Sequence, residues 1–159
     1  MTQQRSPKRE RIENVIRTYF DGYNEANIEK ILSCFVPDAR HYFPRGAPQG
    51  PFLSARAIAE GWKRAVETWG SYWTIDVLLI DEGRNEAAME WTHFKTRTGL
   101  VLRGAELYSL NEEGLITEIR AYYASPTSNP PVNHELGAFD YAARGYPLEV
   151  SPGYLKNRN

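Results

Sequence analysis

The residues best placed for acid–base chemistry are His93 and Glu106. Both lie in stretches rich in β-branched and aromatic residues, which predict strands over Glu86–Arg97, Leu100–Leu110 and Leu115–Ala124. Glycine at both reversals is typical of an antiparallel meander with short turns. A carboxylate beside an imidazole raises its basicity and fixes its tautomer, so the pair predicts a general base that works near neutral pH. Alternatively, a buried Glu106 with Tyr19 could stay protonated and donate a hydrogen bond to a developing enolate or a leaving hydroxyl.

The register of the first hairpin decides whether these two residues meet. A two-residue reversal at Thr98-Gly99 places Glu106 opposite Trp91 and diagonal to His93, within cross-strand reach. A turn longer by one residue on each side would place Glu106 directly opposite His93, and a one-residue change in the loop would send it to the other face. A satisfied polar pair in a sheet, or exposure on its outer face, are the alternatives that involve no catalysis.

Other polar residues are weaker candidates. His41 lies on a short predicted strand, Asp76 is a lone acid in an apolar strand, and His134 lies near the C-terminus. The three histidines have no short ligand spacing and Cys34 is the only cysteine, expected as a buried inert thiol, so no metal is expected. The chain also has no Gly-rich phosphate loop and no dinucleotide fingerprint, so no cofactor is expected.

Composition limits the class of protein and of partner. The chain has 159 residues, which is the length of one domain with a substantial core. A net charge of −1 argues against nucleic acid and membrane surfaces as partners. Aromatic residues make up 13% of the chain, which predicts a pocket for a small apolar molecule. No apolar run reaches the length of a membrane span and no signal-peptide core is found, so the expected location is cytoplasmic.

Apolar periodicity and helix breakers predict the remaining elements. Helices are predicted over Pro7–Ala26, over Asn27–Phe35 and from an N-cap at Ser54 to Thr68 with a stop at Gly70, and strands over Asp38–Phe43 and Ser71–Ile80. Helices therefore gather early and strands late, which is typical of the α+β class. A curled antiparallel sheet wrapped around the three N-terminal helices would form a cone with an internal pocket.

The composition changes after residue 125, which divides the chain into a cone domain over 1–125 and a tail over 126–159. Three prolines within Pro126–Pro131 predict a linker. The rest of the tail is expected to pack on the domain or on a partner subunit, with Phe139, Tyr141 and Tyr146 as anchors.

Four segments carry a resemblance to a known family: Tyr19, Phe35–Ala39, Glu90-Trp91-Thr92 and Gly114–Arg120. With the order of elements, they make residues 8–125 resemble the nuclear transport factor two-like superfamily. Its members include ketosteroid isomerase, scytalone dehydratase, limonene epoxide hydrolase and the small polyketide cyclases. The resemblance implies the cone fold, but it does not fix the chemistry, since one fold hosts many functions.

The resemblance also implies a homodimer formed through the outer face of the sheet. Strand alternation leaves Leu107, Tyr122 and Phe94 on that face, where they would otherwise be exposed.

Catalytic positions of the superfamily transfer only in part. Tyr19 and Glu106 fall at the positions of the oxyanion-hole tyrosine and carboxylic acid of ketosteroid isomerase. The isomerase base falls at Phe43, the dehydratase acid at Asn24, and the acid of epoxide hydrolases and cyclases near Ala121. The familiar acids are therefore missing, and any catalysis must depend on the hairpin.

The sequence thus favours a cofactor-independent isomerase, dehydratase or cyclase that acts on an apolar, carbonyl- or hydroxyl-bearing small molecule. His93 would be the base, Glu106 would orient it, and Tyr19 would donate a hydrogen bond to the substrate. A non-catalytic module for hydrophobic-ligand binding or dimerisation is the alternative, and the missing acids favour it. The expected substrate contacts are Trp91, Phe43, Trp62, Tyr108, Tyr123 and Asn24.

Overall fold

The computed structural model describes residues 6–44, 47, 49, 51–123, 142, 143 and 145–150. These residues form helices α1 (Pro7–Asn24), α2 (Ile28–Leu32) and α3 (Ala55–Trp69), and strands β1 (Phe35–Tyr42), β2 (Ser71–Asp81), β3 (Glu86–Lys95), β4 (Leu100–Leu110) and β5 (Ile116–Tyr122). The predicted α+β class is confirmed. Within the described ranges, no helix combines the length and the apolar character needed to cross a membrane.

Local caps fix the ends of the two long helices. The hydroxyl of Ser6 accepts a hydrogen bond from the backbone N–H of Arg9 (3.1 Å), and that of Ser54 accepts one from Ala57 (3.1 Å). Gly70 ends α3 with φ 61°, in the left-handed region that favours glycine. The cap at Ser54 and the stop at Gly70 were both predicted from the sequence.

Helix α2 is shorter than predicted. It ends at Leu32, and Phe35 already pairs with Ile116 in the sheet, so the predicted helix over Asn27–Phe35 is wrong in its last turn. A short apolar run fits either a helix face or a buried strand, and here the pairing with β5 decides between them.

The sheet has the strand order β1-β5-β4-β3-β2. Strands β2 to β5 form the predicted antiparallel meander, whereas β1 pairs in parallel with β5. The prediction of a wholly antiparallel sheet is therefore wrong at this edge. The connection through α3 lets β1 join the far edge of the meander, and strand propensity alone does not indicate which edge a strand joins.

The sheet is curled around the helices. A register shift between Ile75 and Val77 leaves Asp76 as an extra residue in β2, and such a bulge bends a strand and increases its twist. We call the face towards α1 and α3 the inner face and the opposite one the outer face. The hydrophobic core lies between the inner face and the helices, and its fully buried members include Ile16, Tyr19, Ile31, Ile58, Tyr108 and Ile119.

The outer face carries both exposed and covered side chains. Leu107 and Tyr122 are 38% and 60% exposed, but Phe94 is only 3% exposed, so the expectation of an exposed Phe94 is wrong. The homodimer stays a prediction that now rests on Leu107 and Tyr122.

One part of the C-terminal tail is described. The hydroxyl of Tyr146 donates a hydrogen bond to Glu90, and the guanidinium of Arg103 lies 5.5 Å from the centre of the Tyr146 ring. Tyr146 and Pro147 therefore contact the outer face of β3 and β4. The predicted linker Pro126–Pro131 and the residues His134, Phe139 and Tyr141 lie outside the described residues.

Candidate functional site

The candidate site is a cavity of about 510 Å³ between α3 and the inner face of the sheet. Pockets of this size commonly bury a small organic molecule. Its lining is rich in aromatic rings and contains four of the predicted substrate contacts, which are Phe43, Trp62, Trp91 and Tyr123. The cavity therefore suits a ligand with a flat apolar ring system.

Two glycines make room for the rings that shape this cavity. A Cβ atom at Gly104 would lie 2.4 Å from Cζ2 of Trp91, and one at Gly61 would lie 2.2 Å from Cζ of Phe52. The Trp91 indole therefore lies directly over β4, and the Phe52 ring lies directly against α3. Sequence reasoning missed both glycines, although glycine in the interior of a strand or a helix often marks such a close approach.

Glu106 is the acidic residue of the cavity lining. Its side chain is 6% exposed, and its carboxylate accepts a hydrogen bond from the hydroxyl of Tyr108. Its Oε1 atom lies 3.6 Å from Nε2 of His41. Tyr108 and His41 are both fully buried, so they stand behind Glu106 and not in the cavity. The arrangement presents one carboxylate to the cavity with its partners fixed by the core.

The register between β3 and β4 differs from the predicted one. Glu106 pairs with Met89 and not with Trp91, because the reversal spans Thr96–Gly99 instead of two residues. The cause is a tertiary contact: the backbone N–H groups of Thr96 and Arg97 donate to the carbonyls of Gly70 (3.3 Å) and Trp69 (3.2 Å) at the end of α3. These two residues therefore leave the ladder.

His93 lines the cavity but does not pair with Glu106. Its Nε2 lies 2.9 Å from Oγ of Ser71, and its ring stacks on Trp73 with centroids 3.9 Å apart. Burial, and then the charge of Lys95, holds the pKa of His93 well below its ordinary value of 6.5. The imidazole is therefore neutral near pH 7, and it is a weaker base than the sequence predicted.

Three predicted site residues lie behind the cavity and are not among its lining residues: Tyr19, Tyr108 and Asn24. The hydroxyl of Tyr19 accepts a hydrogen bond from Nε1 of Trp62 (2.6 Å), which orients that ring. Burial, followed by the charge of Glu106, raises the pKa of both tyrosines well above the ordinary value. Asn24 donates to the carbonyl of Trp73 and accepts from its N–H, each at 2.8 Å, and so holds the start of β2.

His41 lies closer to the site than the sequence predicted, because it contacts the carboxylate of Glu106. Its ring is fully buried and stacks on Phe43, with centroids 4.2 Å apart. Neither ring nitrogen has a hydrogen-bond partner among the described residues. A buried polar group without a partner is costly, so its presence beside Glu106 calls for a functional reason. The available signal was the spacing of His41 and Phe43, which puts both rings on one face of a strand.

Trp91, like His41, buries a ring nitrogen that has no hydrogen-bond partner among the described residues. The residue is 4% exposed and lines the cavity, and its Nε1–H donates to no other group in the described part of the chain. It lies opposite Gly104 and is thus the diagonal cross-strand neighbour of Glu106. The indole ring and the carboxylate therefore lie side by side in one wall, and the indole N–H is buried within that wall.

Tyr123 lines the cavity with a phenol that keeps its proton. Burial raises the pKa of Tyr123 to about 12, and its hydroxyl accepts a hydrogen bond from Gln49 (2.8 Å). The phenol is thus protonated at any physiological pH.

Across the described residues, no three His, Cys, Asp or Glu side chains come close enough together to hold a metal ion.

Comparison with protein families gives one match. Residues 16–119 match the family described as the SnoaL-like domain. No curated protein matches the chain.

Solved structures similar to this one share its fold. A protein of unknown function with a cystatin-like fold from Methylobium petroleophilum PM1 is 56% identical, covers 91% of this chain and 95% of its own, and has a TM-score of 0.72. An NTF2-like protein of unknown function from Mesorhizobium loti is 15% identical over 79% of this chain and 100% of its own, with a TM-score of 0.63. The epoxide hydrolase/cyclase-like enzyme SalBIII, which acts in pyran ring formation in the polyether salinomycin, is 16% identical over 72% of this chain and 92% of its own, with a TM-score of 0.61. The predicted nuclear transport factor two-like fold is confirmed.

Proposed function

The chain belongs to the SnoaL-like domain family, and from that premise we propose that it is a cofactor-independent acid–base enzyme. It acts as an isomerase, dehydratase or cyclase on an apolar, carbonyl- or hydroxyl-bearing small molecule. The observation that carries the proposal is Glu106, a buried carboxylate that reaches a cavity rich in aromatic rings. A carboxylate in such surroundings can take a proton from carbon and return it elsewhere.

Glu106 is the proton carrier in this proposal. The hydroxyl of Tyr108 holds one end of the carboxylate, and the high pKa of that phenol keeps its proton on the donor. The carboxylate therefore accepts the substrate proton from a fixed position, which lowers the entropy cost of the step.

Trp91 supplies the hydrogen bond to the substrate oxygen. Its indole N–H can only donate, and it has no partner among the described residues. As Glu106 removes a proton, negative charge develops on the neighbouring carbonyl oxygen, and a donor that the fold leaves without a partner can stabilise that charge.

His41 is a positioning residue for Glu106. Its Nε2 faces Oε1 at 3.6 Å, and its stacking on Phe43 fixes the plane of the ring. The two positions at which relatives carry acids lie close by: Phe43 stacks on His41, and Ala121 pairs with Glu106 across β4 and β5. Glu106 therefore places a carboxylate on the strand next to Ala121, near which the acid of epoxide hydrolases and cyclases falls according to the resemblance.

The base is thus Glu106 and not His93, and the hydrogen-bond donor to the substrate is Trp91 and not Tyr19. His93 becomes a neutral polar group in the cavity wall, and Tyr19 becomes a support for Trp62.

The test is exchange of protons α to a carbonyl in deuterated water, followed by nuclear magnetic resonance on bicyclic and tricyclic ketones. The wild-type chain should accelerate exchange on at least one ketone that it binds. Glu106→Gln should lose about 100-fold or more of that rate, because a positioned acid–base group contributes this much. Glu113→Gln, an exposed glutamate in the β4–β5 turn, is the matched control and should keep the full rate. A wild-type rate in Glu106→Gln would refute the assignment.

A binding cavity without turnover is the second candidate function. It is favoured by Phe43 and Ala121, which replace the acids that catalytic relatives carry at those positions, according to the sequence resemblance. If the ketones bind but none exchanges faster than in buffer, this function replaces the first.

A further inference from the structure

The cavity has a cationic end opposite to its acidic residue. Lys95 is the last residue of β3 and lines the cavity, whereas Glu106 pairs with Met89 near the middle of the same strand. Lys95 and Met89 are separated by about 20 Å of extended strand. Trp91 and His93 line the wall between them. The cavity therefore offers an acid–base group and a cation to two different parts of one ligand.

A second cation, Arg64, lines the cavity from α3, one helical turn before Thr68. Its neighbours on the same helix behave differently. Lys63 pairs with Glu67 at 3.8 Å and Arg56 with Glu60 at 3.7 Å, each four residues along the helix. The residue four positions after Arg64 is a threonine, and the two acids at the other pairing positions of the helix, Glu60 and Glu67, pair with Arg56 and Lys63 instead.

Neither cation is neutralised by the described part of the chain. The ammonium of Lys95 lies 4.5 Å from the centre of the Trp69 ring, and neither it nor the guanidinium of Arg64 has a hydrogen bond or an ion pair with another described residue. Burial lowers the pKa of Lys95. An anion bound there would restore the charged form and would gain charge-assisted hydrogen bonds from two donors.

We propose that Lys95 and Arg64 bind the carboxylate of an elongated, ring-bearing acid whose reacting carbon lies at Glu106. The rings would stack among the tryptophans between the two ends. This inference names a substrate class for the same cavity and, as far as the reacting carbon is concerned, rests on the proposed function.

The experiment compares two ligands that differ only in charge, anthracene-2-carboxylate and anthracene-2-carboxamide, by isothermal titration calorimetry on the full chain. The wild-type chain should bind the carboxylate about tenfold or more tightly than the amide, since hydrogen bonds to charged groups are the stronger ones. The double variant Lys95→Met, Arg64→Met should lose this preference and keep the affinity for the amide. Methionine retains the apolar stem that packs on Trp69.

Lys63→Met is the matched control, because it removes a cation from the same helix outside the cavity lining, and it should keep the preference. Circular dichroism melting of each variant shows that the fold persists. Equal affinity for the two ligands in the wild-type chain, or an undiminished preference in the double variant, would overturn the proposal. The two proposals can fail separately. A preference for the carboxylate without any proton exchange would support the anion site and refute the proposed enzyme. Proton exchange without a preference for the carboxylate would support the enzyme and refute the anion site.

Discussion

The two faces of the hairpin β3–β4 both bury polar side chains, but they do so in different ways. On the outer face, the hydroxyls of Thr74 and Thr92 donate to the two oxygens of Asp76. Arg103 donates to Thr92, and its other terminal nitrogen donates to the carbonyl of Pro147 at 2.9 Å. Each polar group in this outer network has a partner, and the network ties the C-terminal segment to the sheet.

On the inner face, buried polar atoms are left without partners among the described residues. They are Nε1 of Trp91 and both ring nitrogens of His41, and they flank the carboxylate of Glu106. A buried donor or acceptor without a partner costs about 1–3 kcal/mol. Satisfied polar groups thus mark the outer network as structural, whereas the inner site keeps a carboxylate beside polar groups that gain no hydrogen bond from the fold.

The largest expected effect comes from breaking the outer network. Arg103→Met removes the cation beside Asp76 and the bond to Pro147, and it should lower the free energy of unfolding by about 2–3 kcal/mol. Urea denaturation followed by circular dichroism measures the loss. Ligand binding in the inner cavity should stay unchanged, because Arg103 points to the other face.

Adding Asp76→Asn to that variant is the control, because it removes the carboxylate that has lost its cation. The double variant should recover part of the stability. Unaltered stability in Arg103→Met alone would show that the outer network is not structural and would remove the contrast between the faces.

The next effect concerns the inner face. Gly104→Ala brings a Cβ atom within 2.4 Å of the Trp91 ring, so the indole must move into the cavity. Stability should fall by about 1–2 kcal/mol, as for other overpacked sites, and the affinity for ring-bearing ligands should fall with it. Gly83→Ala, where the nearest atom lies at 3.4 Å, should change stability by less than about 0.5 kcal/mol. Equal effects of the two substitutions would mean that Trp91 adjusts freely.

Sequence signals predicted the fold better than the site, because they are local. The cap at Ser54, the stop at Gly70 and the bounds of Leu100–Leu110 each depend on a few neighbouring residues, and all agree with the structure. Alternation likewise put Trp91 and His93 on one face, and both line the cavity.

The register of β3 and β4 and the contact of Glu106 with His41 could not be predicted, for the same reason. Thr96 leaves the ladder because its N–H bonds to Gly70 at the end of α3, which is a tertiary contact. His41 and Glu106 lie on β1 and β4 with β5 between them, and this neighbourhood depends on the parallel pairing of an edge strand. No pattern within one stretch of sequence encodes either contact.

A smaller effect on the free energy of unfolding is expected from a substitution of His41, and it tests whether the unpartnered atoms of the inner site lower stability. His41→Phe replaces two unpartnered nitrogens by carbon while keeping a ring to stack on Phe43. The free energy of unfolding should be unchanged or higher by up to about 1 kcal/mol, whereas proton exchange by Glu106 should slow, because the ring nitrogen that faces its carboxylate is lost. A fall of more than about 2 kcal/mol would mean that His41 is a structural residue with bonds of its own, like those of the outer network.

The smallest effect is a dependence of stability on pH that comes from His93. Burial, and then the charge of Lys95, lowers its pKa in the folded chain, so below the ordinary value of 6.5 the unfolded chain binds a proton that the folded chain does not. Acidification from pH 6.5 therefore favours unfolding, and above that value the residue contributes nothing to the slope. His93→Gln should lose less stability than the wild-type chain between about pH 7.5 and about pH 5.5 in urea denaturation. The raised pKa of Asp76 acts in both chains and cancels in the difference. Equal losses would mean that the inner face accepts an imidazolium beside Ser71 and Trp73, and His93 would again compete with Glu106 as the group that carries the proton.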